Sequence, residues 1–448
     1  MCPGTREGDR AVELLAAFAV FLIGTFACMV LGYSLSWGLA LGLVCFTVVG
    51  LRRGLTLRAL LRMAGEGART SLVVLRILVL IGFLTALWRA SGTIAFFVHT
   101  GLKWMHPSTF YLSAFLLAST LSMAFGSSFG VAGTAGVILA AIARSGGASL
   151  AITGGAVLSG AYLGERLSPA SSSAALTAAL AGVEQRDFQL RMWRTTPLPL
   201  VLSLVFYGGI SLLYPIQRVD QTILTALEEG FDLSWTAVLP AVILLVLPFF
   251  KVSAARSILV SCGAAAVLAV WGQGKPLAEV AWSCVTGYVV DQPALTGILS
   301  GGGLFSMVNG MCIVLFSCAS SGILNGAELL EPVKAQLERI ARRTDLYVTT
   351  AAVSVASAAL LCNQSIALVL TEQMMGESFR RSGKGGLPLS QALGNTAIVL
   401  AAVVPWSIAG SVPLEAMGAS APAIPFSFFL FAAPMCDWLL HRRQYQLK

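Results

Sequence analysis

A carboxylate and a guanidinium stand side by side in an apolar part of this chain, at Glu165 and Arg166. Charged side chains at membrane depth are costly to keep, so they usually serve a function. Pro169 follows closely and breaks the helix that carries them. Glu165 could bind Na+ and a proton in turn at this break. The alternatives are an ion pair between Glu165 and Arg166, or side chains that extend toward the inside surface.

Hydroxyl and amide side chains interrupt the apolar segments at the tips of two predicted hairpins and at the breaks of two predicted helices. Backbone that leaves the helix within a membrane must line a cavity or be buried in protein, so such places mark a site. Oxygen ligands suit a small cation such as Na+, with Ser128, Glu165 and Asn363 as one hypothetical set, whereas helix N-termini favour an anion. A serine in a membrane helix can also simply bond to its own backbone. The tip candidates are Ser127, Ser128, Asn363, Gln364 and Ser365, and the break candidates are Ser168, Ser171, Ser172, Ser173 and Ser407.

The composition excludes a soluble protein. Of the 448 residues, 56% are hydrophobic and only 11% are charged, and the mean hydropathy is +0.81. Apolar blocks recur from Leu14 to Leu440, and many have the length of about 20 residues that a helix needs to cross a bilayer. We predict an all-α polytopic membrane protein in contact with membrane lipid, and we exclude soluble enzymes and nucleic-acid binders.

No motif indicates an enzyme or a resident cofactor. The 9 cysteines and 3 histidines are scattered and form no cluster with metal-ligand spacing. Neither a nucleophile elbow nor a nucleotide-binding loop is present in the sequence. Glu372 and Glu415 are the remaining carboxylates on predicted core helices, and each could lie near an aqueous face.

The distribution of Lys and Arg predicts the topology. If every apolar block crossed once, the basic segments 323–345 and 376–388 would face opposite sides, against the positive-inside rule. The conflict disappears if blocks 108–143 and 346–375 are re-entrant hairpins, which leaves about ten crossing helices. Most of the 29 Lys and Arg residues then lie inside. We expect an integral protein of the bacterial inner (plasma) membrane with both termini in the cytoplasm.

An internal repeat supports this topology. The pair at 91–92 (Ser-Gly) matches the pair at 321–322, and each is followed by a polar-tipped hairpin and by a long helix broken at Pro-x-Ser, at 169–171 and 405–407. Ser128 and Ser365 lie at near-equal distances before these two breaks. Together these matches predict two inverted-topology repeats with broken helices. The predicted units are 1–69 (N-terminal helices and basic cytoplasmic loop), 70–195 (first repeat), 196–298 (connecting helices) and 299–448 (second repeat and C-terminal helix).

Several of these motifs resemble those of the NhaC sodium/proton antiporter family. Residues 88–94 (Trp-Arg-Ala-Ser-Gly-Thr-Ile) and 101–103 (Gly-Leu-Lys) resemble one family element, and residues 126–130 (Gly-Ser-Ser-Phe-Gly) resemble its Gly-Thr-Ser-Trp-Gly. Residues 159–169 are similar to its Ser-Gly-Ala-Tyr-Phe-Gly-Asp-Lys-x-Ser-Pro, and residues 405–406 match a second-half Pro-Trp element. The resemblance covers roughly residues 70–420. It implies a secondary transporter that exchanges Na+ for H+ by alternating access, with these ions as its transported species. A homodimer is left open.

Two departures from the family pattern keep a second function open. Where the family commonly has Ser-Pro-Leu-Ser-Asp-Thr-Thr-Asn, residues 168–175 read Ser-Pro-Ala-Ser-Ser-Ser-Ala-Ala, which removes an acid and an amide. In the second hairpin, Gln364 and Ser365 stand where an acid is often found. The alternative is a Na+- or H+-coupled transporter of a small organic anion or an amino acid, in which Arg166 binds the carboxylate.

Overall fold

The computed structural model describes residues 3–104, 106–215, 221–250, 252–327, 329 and 345–445. This part of the chain is α-helical and contains no strand, only an isolated bridge between Tyr288 and Gly301. The all-α prediction is confirmed. Most of the basic segment 323–345 lies outside the described residues.

The first half contains eleven helices among the described residues, and its hairpin helix α7 includes a π-helical turn at Ala132–Gly136. They are α1 (Pro3–Leu31), α2 (Leu35–Arg52), α3 (Leu57–Thr70), α4 (Leu72–Ala90), α5 (Thr93–Trp104), α6 (Phe110–Phe125), α7 (Ser128–Ser145), α8 (Leu150–Leu167), α9 (Ser172–Ala181), α10 (Gln185–Thr195) and α11 (Pro197–Leu213).

The second half contains twelve further helices in its described part, several of them short. They are α12 (Gln221–Gly230), α13 (Leu239–Val246), α14 (Ala254–Val267), α15 (Leu277–Thr286), α16 (Thr296–Leu299), α17 (Gly303–Ser306), α18 (Val308–Gly326), α19 (Leu346–Leu361), α20 (Gln364–Arg381), α21 (Gly386–Val403), α22 (Ile408–Ala416) and α23 (Phe428–Tyr445).

Helix length and hydropathy confirm a multi-pass membrane protein. Eight of the described helices are long and apolar enough to cross a bilayer, or up to ten if each of two bent pairs forms one span. The outer helices α1 and α2 expose large apolar side chains such as Ile23, Phe26 and Trp37, which suits contact with lipid. The broken helices α8 and α21 are buried almost throughout, so they form the centre of the molecule.

The first hairpin turns at Gly126, whose φ of +66° ends α6 in the left-handed conformation. Ser127 then caps α7, because its side chain accepts the amide of Gly130. At the other end, the Tyr111 hydroxyl accepts the backbone amide of Ser149 at 2.9 Å. The chain therefore leaves the hairpin beside the point where it entered. Both of its helices are long and apolar enough to cross a bilayer, so its re-entrant character stays a prediction.

The second hairpin has the same construction. Cys362 turns the chain with a φ of 55° and is the one residue other than glycine with a positive φ in the described ranges. Asn363 then caps α20 by accepting the amides of Ser365 and Ile366. The Tyr445 ring lies 4.7 Å from that of Tyr347 and 6.4 Å from that of Phe379, measured between centroids. Both ends of this hairpin therefore meet the same C-terminal residue.

Five pairs of helices repeat at a constant offset of 236 residues. Helices α4, α6, α7, α8 and α9 begin at residues 72, 110, 128, 150 and 172, and helices α18 to α22 begin at 308, 346, 364, 386 and 408. The packing is also reciprocal: α9 contacts α20 and α21 of the second repeat, and α22 contacts α7 and α8 of the first. This exchange is typical of two units related by a pseudo-two-fold axis.

The offset corrects two details of the predicted repeat. The Ser321–Gly322 pair lies inside α18, which ends at Gly326, so it is not the counterpart of the pair at 91–92. Gly322 is instead a packing residue, because a Cβ on Gly67 of α3 would lie 2.7 Å from its Cα. At the tips, Ser128 corresponds to Gln364 and not to Ser365. The first error arose because a Ser-Gly pair serves tight helix packing as readily as a helix end, and the second because serine was matched to serine instead of to the residue after the cap.

Candidate ion-binding site

Glu165 lies in the last turn of α8 and connects three elements of the first repeat. Its side chain is buried, with 6% of the residue exposed. Oε2 accepts the backbone amide of Ser128 at 3.0 Å, and Oε1 accepts the hydroxyl of Ser173 at 2.5 Å. One carboxylate therefore binds the hairpin tip and the half-helix α9 at the break.

The local sequence explains why the tip and the break meet here. The chain is extended at Ser168, as expected before a proline, so α8 ends there. Ser171 restarts the helix by accepting the amide of Ala174 at 3.2 Å. Gly126 packs directly against this break, since a Cβ on it would lie 2.6 Å from the carbonyl carbon of Ala170. Only glycine permits this approach.

The site offers further oxygen atoms beside the carboxylate. The Ser128 hydroxyl is buried and has no hydrogen-bond partner among the described residues. The hydroxyls of Ser171 and Ser173 lie 3.0 Å apart, and Ser173 in turn donates to Glu165. Carboxylate and hydroxyl oxygens are hard ligands suited to Na+. The N-terminus of α7 already binds an anionic group, the carboxylate of Glu165, so it is not free for an anionic ligand.

Arg166 points to a different part of the molecule. Its guanidinium is fully buried, donates to the Asn395 side-chain oxygen and to the Thr196 hydroxyl (2.6 Å for the latter), and lies 5.1 Å from the centroid of the Phe429 ring. No ion pair with Glu165 occurs in the described part of the chain. Both alternative interpretations, the mutual ion pair and the extension to the surface, are therefore wrong.

The second tip makes separate contacts. Asn363 accepts amides of its own helix, and Gln364 donates to the carbonyl of Ile398 at 3.0 Å. Ser365 is exposed. No hydrogen bond within the described ranges connects this tip to Glu165, so the assignment of Asn363 as a Na+ ligand stays a prediction.

Of the remaining break residues, Ser172 is exposed, and Ser168 and Ser407 serve the backbone. Ser407 is buried and caps α22 by accepting the amide of Ala409 at 3.4 Å, and the Ser168 hydroxyl accepts the amide of Ala170 at 3.2 Å. These two serines hold the shape of the breaks. Their assignment as ion ligands also stays a prediction.

The two repeats differ at the positions that form the site. At the 236-residue offset, Glu165 and Ser173 correspond to Ala401 and Ala409. The Tyr162 hydroxyl donates to the carbonyl of Ala409 at 2.8 Å, which joins α8 to the second half-helix α22. The carboxylate site therefore belongs to the first repeat alone, and the second repeat supports it through the backbone.

A second carboxylate, the half-buried Glu415, was not among the predicted site residues and was noted from the sequence only as a group that could lie near an aqueous face. The Glu415 side chain accepts a hydrogen bond from Asn309 through Oε1, and Asn309 accepts one from Ser34. Its other oxygen, Oε2, is buried without a partner among the described residues. Glu415 also lines two cavities of about 390 Å³ and 450 Å³. The signal that could have indicated this group is Asn309, an amide within an apolar helix.

Comparison with known proteins agrees with the arrangement of the fold. The family model described as the Na+/H+ antiporter family matches residues 11–190 and 187–439. The chain is 26% identical over 439 residues to the malate-2H+/Na+-lactate antiporter of Bacillus subtilis (strain 168), covering 95% of this chain and 94% of that protein. It is 26% identical over 378 residues to the Na+/H+ antiporter NhaC of Alkalihalophilus pseudofirmus, covering 82% and 81%. It is 28% identical over 374 residues to the arginine/ornithine antiporter ArcD of Halobacterium salinarum, covering 80% and 76%.

The family model spans nearly the whole chain, and the resemblance predicted from the hairpin and break motifs is thereby confirmed. Identities of 24 to 27% to the named NhaC proteins and an uncharacterised Na+/H+ antiporter make this a divergent member. The chain belongs to the Na+/H+ antiporter family.

Proposed function

We propose that this antiporter exchanges Na+ for H+ at Glu165 by alternating access. The observation that carries the proposal is the setting of the Glu165 carboxylate, which is buried, bonded to both the tip and the break, and adjacent to the unpartnered hydroxyl of Ser128. Family membership supports the same function.

The chemistry of a buried carboxylate explains why the two ions exchange. A charged carboxylate is costly to carry across the apolar interior without a cation. The site therefore changes its accessible side only when Glu165 is neutralised, either by Na+, which the Ser128 hydroxyl also coordinates, or by a proton. Because one carboxylate cannot hold both at once, an outward Na+ is followed by an inward H+.

The repeat provides the change in access. Each half-helix after a break, α9 or α22, packs against the opposite repeat, so displacement of one repeat against the other alters both sides of the site in opposite senses. We place both termini in the cytoplasm of the bacterial inner membrane, because the basic loops then lie inside. A homodimer stays a prediction.

Transport by purified protein in liposomes tests this function. A Na+ gradient should drive a pH change in liposomes with the unmodified protein, and Glu165→Gln should abolish it because the amide keeps the shape and removes the titration. Glu184→Gln, at an exposed position just after the end of α9, is the matched control and should transport normally. Full exchange by Glu165→Gln would contradict the proposal.

A second candidate function is the ion-coupled transport of a small organic anion. It is favoured by the similarity to the malate/lactate antiporter, which covers 95% of this chain. The same liposomes should be assayed with labelled lactate and malate. Arg166, the anion-binding residue of this hypothesis, already donates to Asn395 and Thr196 through its terminal nitrogens, whereas its Nε is buried without a partner among the described residues.

A further inference from the structure

A cavity of about 450 Å³ lies where α4, α7 and α22 end, apart from Glu165. Two arginines line it, Arg89 from α4 and Arg144 from α7, together with Ser300, Ser306 and Glu415. We propose that this cavity, named here the arginine cavity, binds a small carboxylate anion between Arg89 and Arg144. The proposal concerns a separate site and does not rest on Na+/H+ exchange at Glu165.

Neither arginine of the cavity forms an ion pair in the described part of the protein, and Glu415 is the single carboxylate among the lining residues. Arg89 is 6% exposed, and its Nη1 donates only to the carbonyl of Thr85 on its own helix, at 2.8 Å. Its Nε is buried and has no partner among the described residues. Arg144 donates to the carbonyls of Met417 and Gly418 at 3.0 and 3.3 Å. Within the described ranges, no carboxylate lies within 4.0 Å of either guanidinium.

The C-terminal end of α22 explains the position of Arg144 but not that of Arg89. Arg144 binds the carbonyls that follow α22, where a cation is favourable. That contact leaves most donors of Arg144 unused and does not explain why Arg89 faces the same cavity, where the two like charges repel each other. An anion between them would remove the repulsion and satisfy the unused donors.

The donor geometry suits a carboxylate. A guanidinium presents paired N–H groups that match the two oxygens of a carboxylate. Ser300 accepts the amide of Val290 at 3.2 Å, so its hydroxyl proton is free to donate to a ligand. Gly297 and Gly301 also line the cavity, and a Cβ on either would meet nothing within 4 Å, so these two positions leave room for the ligand. This volume and polar lining fit an acid of a few carbons that carries a hydroxyl group.

A substitution of Glu415 should have the opposite effect on anion binding to a substitution of either arginine. Its carboxylate lines the cavity with Oε2 unpartnered, so a negative charge there opposes a bound anion. Replacement of Glu415 by Gln removes this repulsion and should tighten anion binding, whereas loss of either arginine should weaken it. Opposite effects at one cavity are not expected from a general loss of structure.

Ligand-dependent thermal unfolding of the purified full-length protein tests the inference, with lactate and malate as N-methylglucamine salts and the chloride salt as reference. Both acids should raise the unfolding temperature saturably. The half-saturating concentration should increase at least tenfold in Arg144→Gln and Arg89→Lys, decrease in Glu415→Gln, and stay unchanged in Arg76→Gln, an exposed arginine on α4.

The unfolding experiment is done without Na+ and measures binding, not transport. Its outcome is therefore independent of the function proposed for Glu165. The inference is overturned if neither acid stabilises the unmodified protein, if chloride does so equally well, or if Arg144→Gln binds as tightly as the unmodified protein. If Arg89→Lys does not fold, Arg144→Gln and Glu415→Gln still decide the question.

Discussion

Glu165 and Arg166 are neighbours in the chain but join α8 to different repeats. The carboxylate of Glu165 accepts hydrogen bonds from Ser128 and Ser173 of the first repeat, while the guanidinium of Arg166 donates to Asn395 of the second. Successive side chains on a helix point about 100° apart, so one short motif can serve both purposes. Glu165 is thus placed for ion chemistry, and Arg166 holds the two repeats together.

Arg166→Lys should therefore destabilise the protein more than it changes ion affinity. Lysine cannot donate to Asn395 and Thr196 in the same fork or stack equally on Phe429. We expect a loss of about 1–3 kcal/mol, the scale of a buried polar group left unpaired, measured by thermal unfolding of the purified protein. Phe429→Leu, which keeps both hydrogen bonds, should cost less. A stable Arg166→Lys protein that no longer takes up an organic acid would instead make Arg166 a ligand.

Ser128→Ala should weaken the binding of Na+ without disturbing Glu165. The hydrogen bond from Ser128 to the carboxylate comes from the backbone amide, which the substitution keeps. The loss of one hydroxyl ligand, about 1–3 kcal/mol, should raise the half-saturating Na+ concentration of exchange by about 5- to 150-fold. An unchanged Na+ dependence would leave the Ser128 hydroxyl without a role in binding.

Asn363 is the predicted ligand that the described contacts leave untested. Asn363→Ala should weaken the binding of Na+ if the side chain is a ligand, but it also removes the cap of α20. Asn363→Ser separates the two effects because serine caps a helix equally well. If the serine variant has normal Na+ dependence, Asn363 is a capping residue only.

Close packing between α3 and α18 should make Gly67 intolerant of any side chain. A Cβ there would lie 2.2 Å from the Cys318 carbonyl oxygen, whereas a Cβ on Gly65, on the opposite face of α3, meets nothing within 4 Å. We expect Gly67→Ala to lower the unfolding temperature by an amount equivalent to about 1–3 kcal/mol. Gly65→Ala should be neutral or slightly stabilising. Equal behaviour of the two variants would argue against this contact.

The prediction that the second hairpin is re-entrant can be tested by labelling. Cysteines placed at Arg381, at the end of α20, and at Arg339, outside the described residues, should react with an impermeant thiol reagent from the cytoplasmic side only. Right-side-out and inverted vesicles of a cysteine-depleted variant provide the comparison. Labelling of the two positions from opposite sides would mean that the segment crosses the membrane.

The hairpins and breaks were predicted from the sequence because backbone that leaves a helix within the membrane exposes polar groups that must be satisfied. Pro169, Pro405 and the polar tips are therefore strong signals. It misplaced Ser321 and Gly322, because a Ser-Gly pair suits a helix end and a helix contact alike. The direction of Arg166 depends on Asn395, more than 200 residues away in the chain. That Arg89 and Arg144 line one cavity likewise depends on the packing of α4 against the first hairpin, which a local sequence pattern does not contain.

Proton release on Na+ binding tests the central role of Glu165 most directly. Addition of Na+ to the purified, weakly buffered protein, followed with a pH-sensitive dye, should release protons in a saturable manner, because Na+ displaces the proton from the carboxylate. Choline at the same ionic strength should release none. Glu165→Gln should lose the Na+-dependent release, and Glu184→Gln should keep it. Undiminished release from Glu165→Gln would contradict the account, because another group would then exchange Na+ for H+.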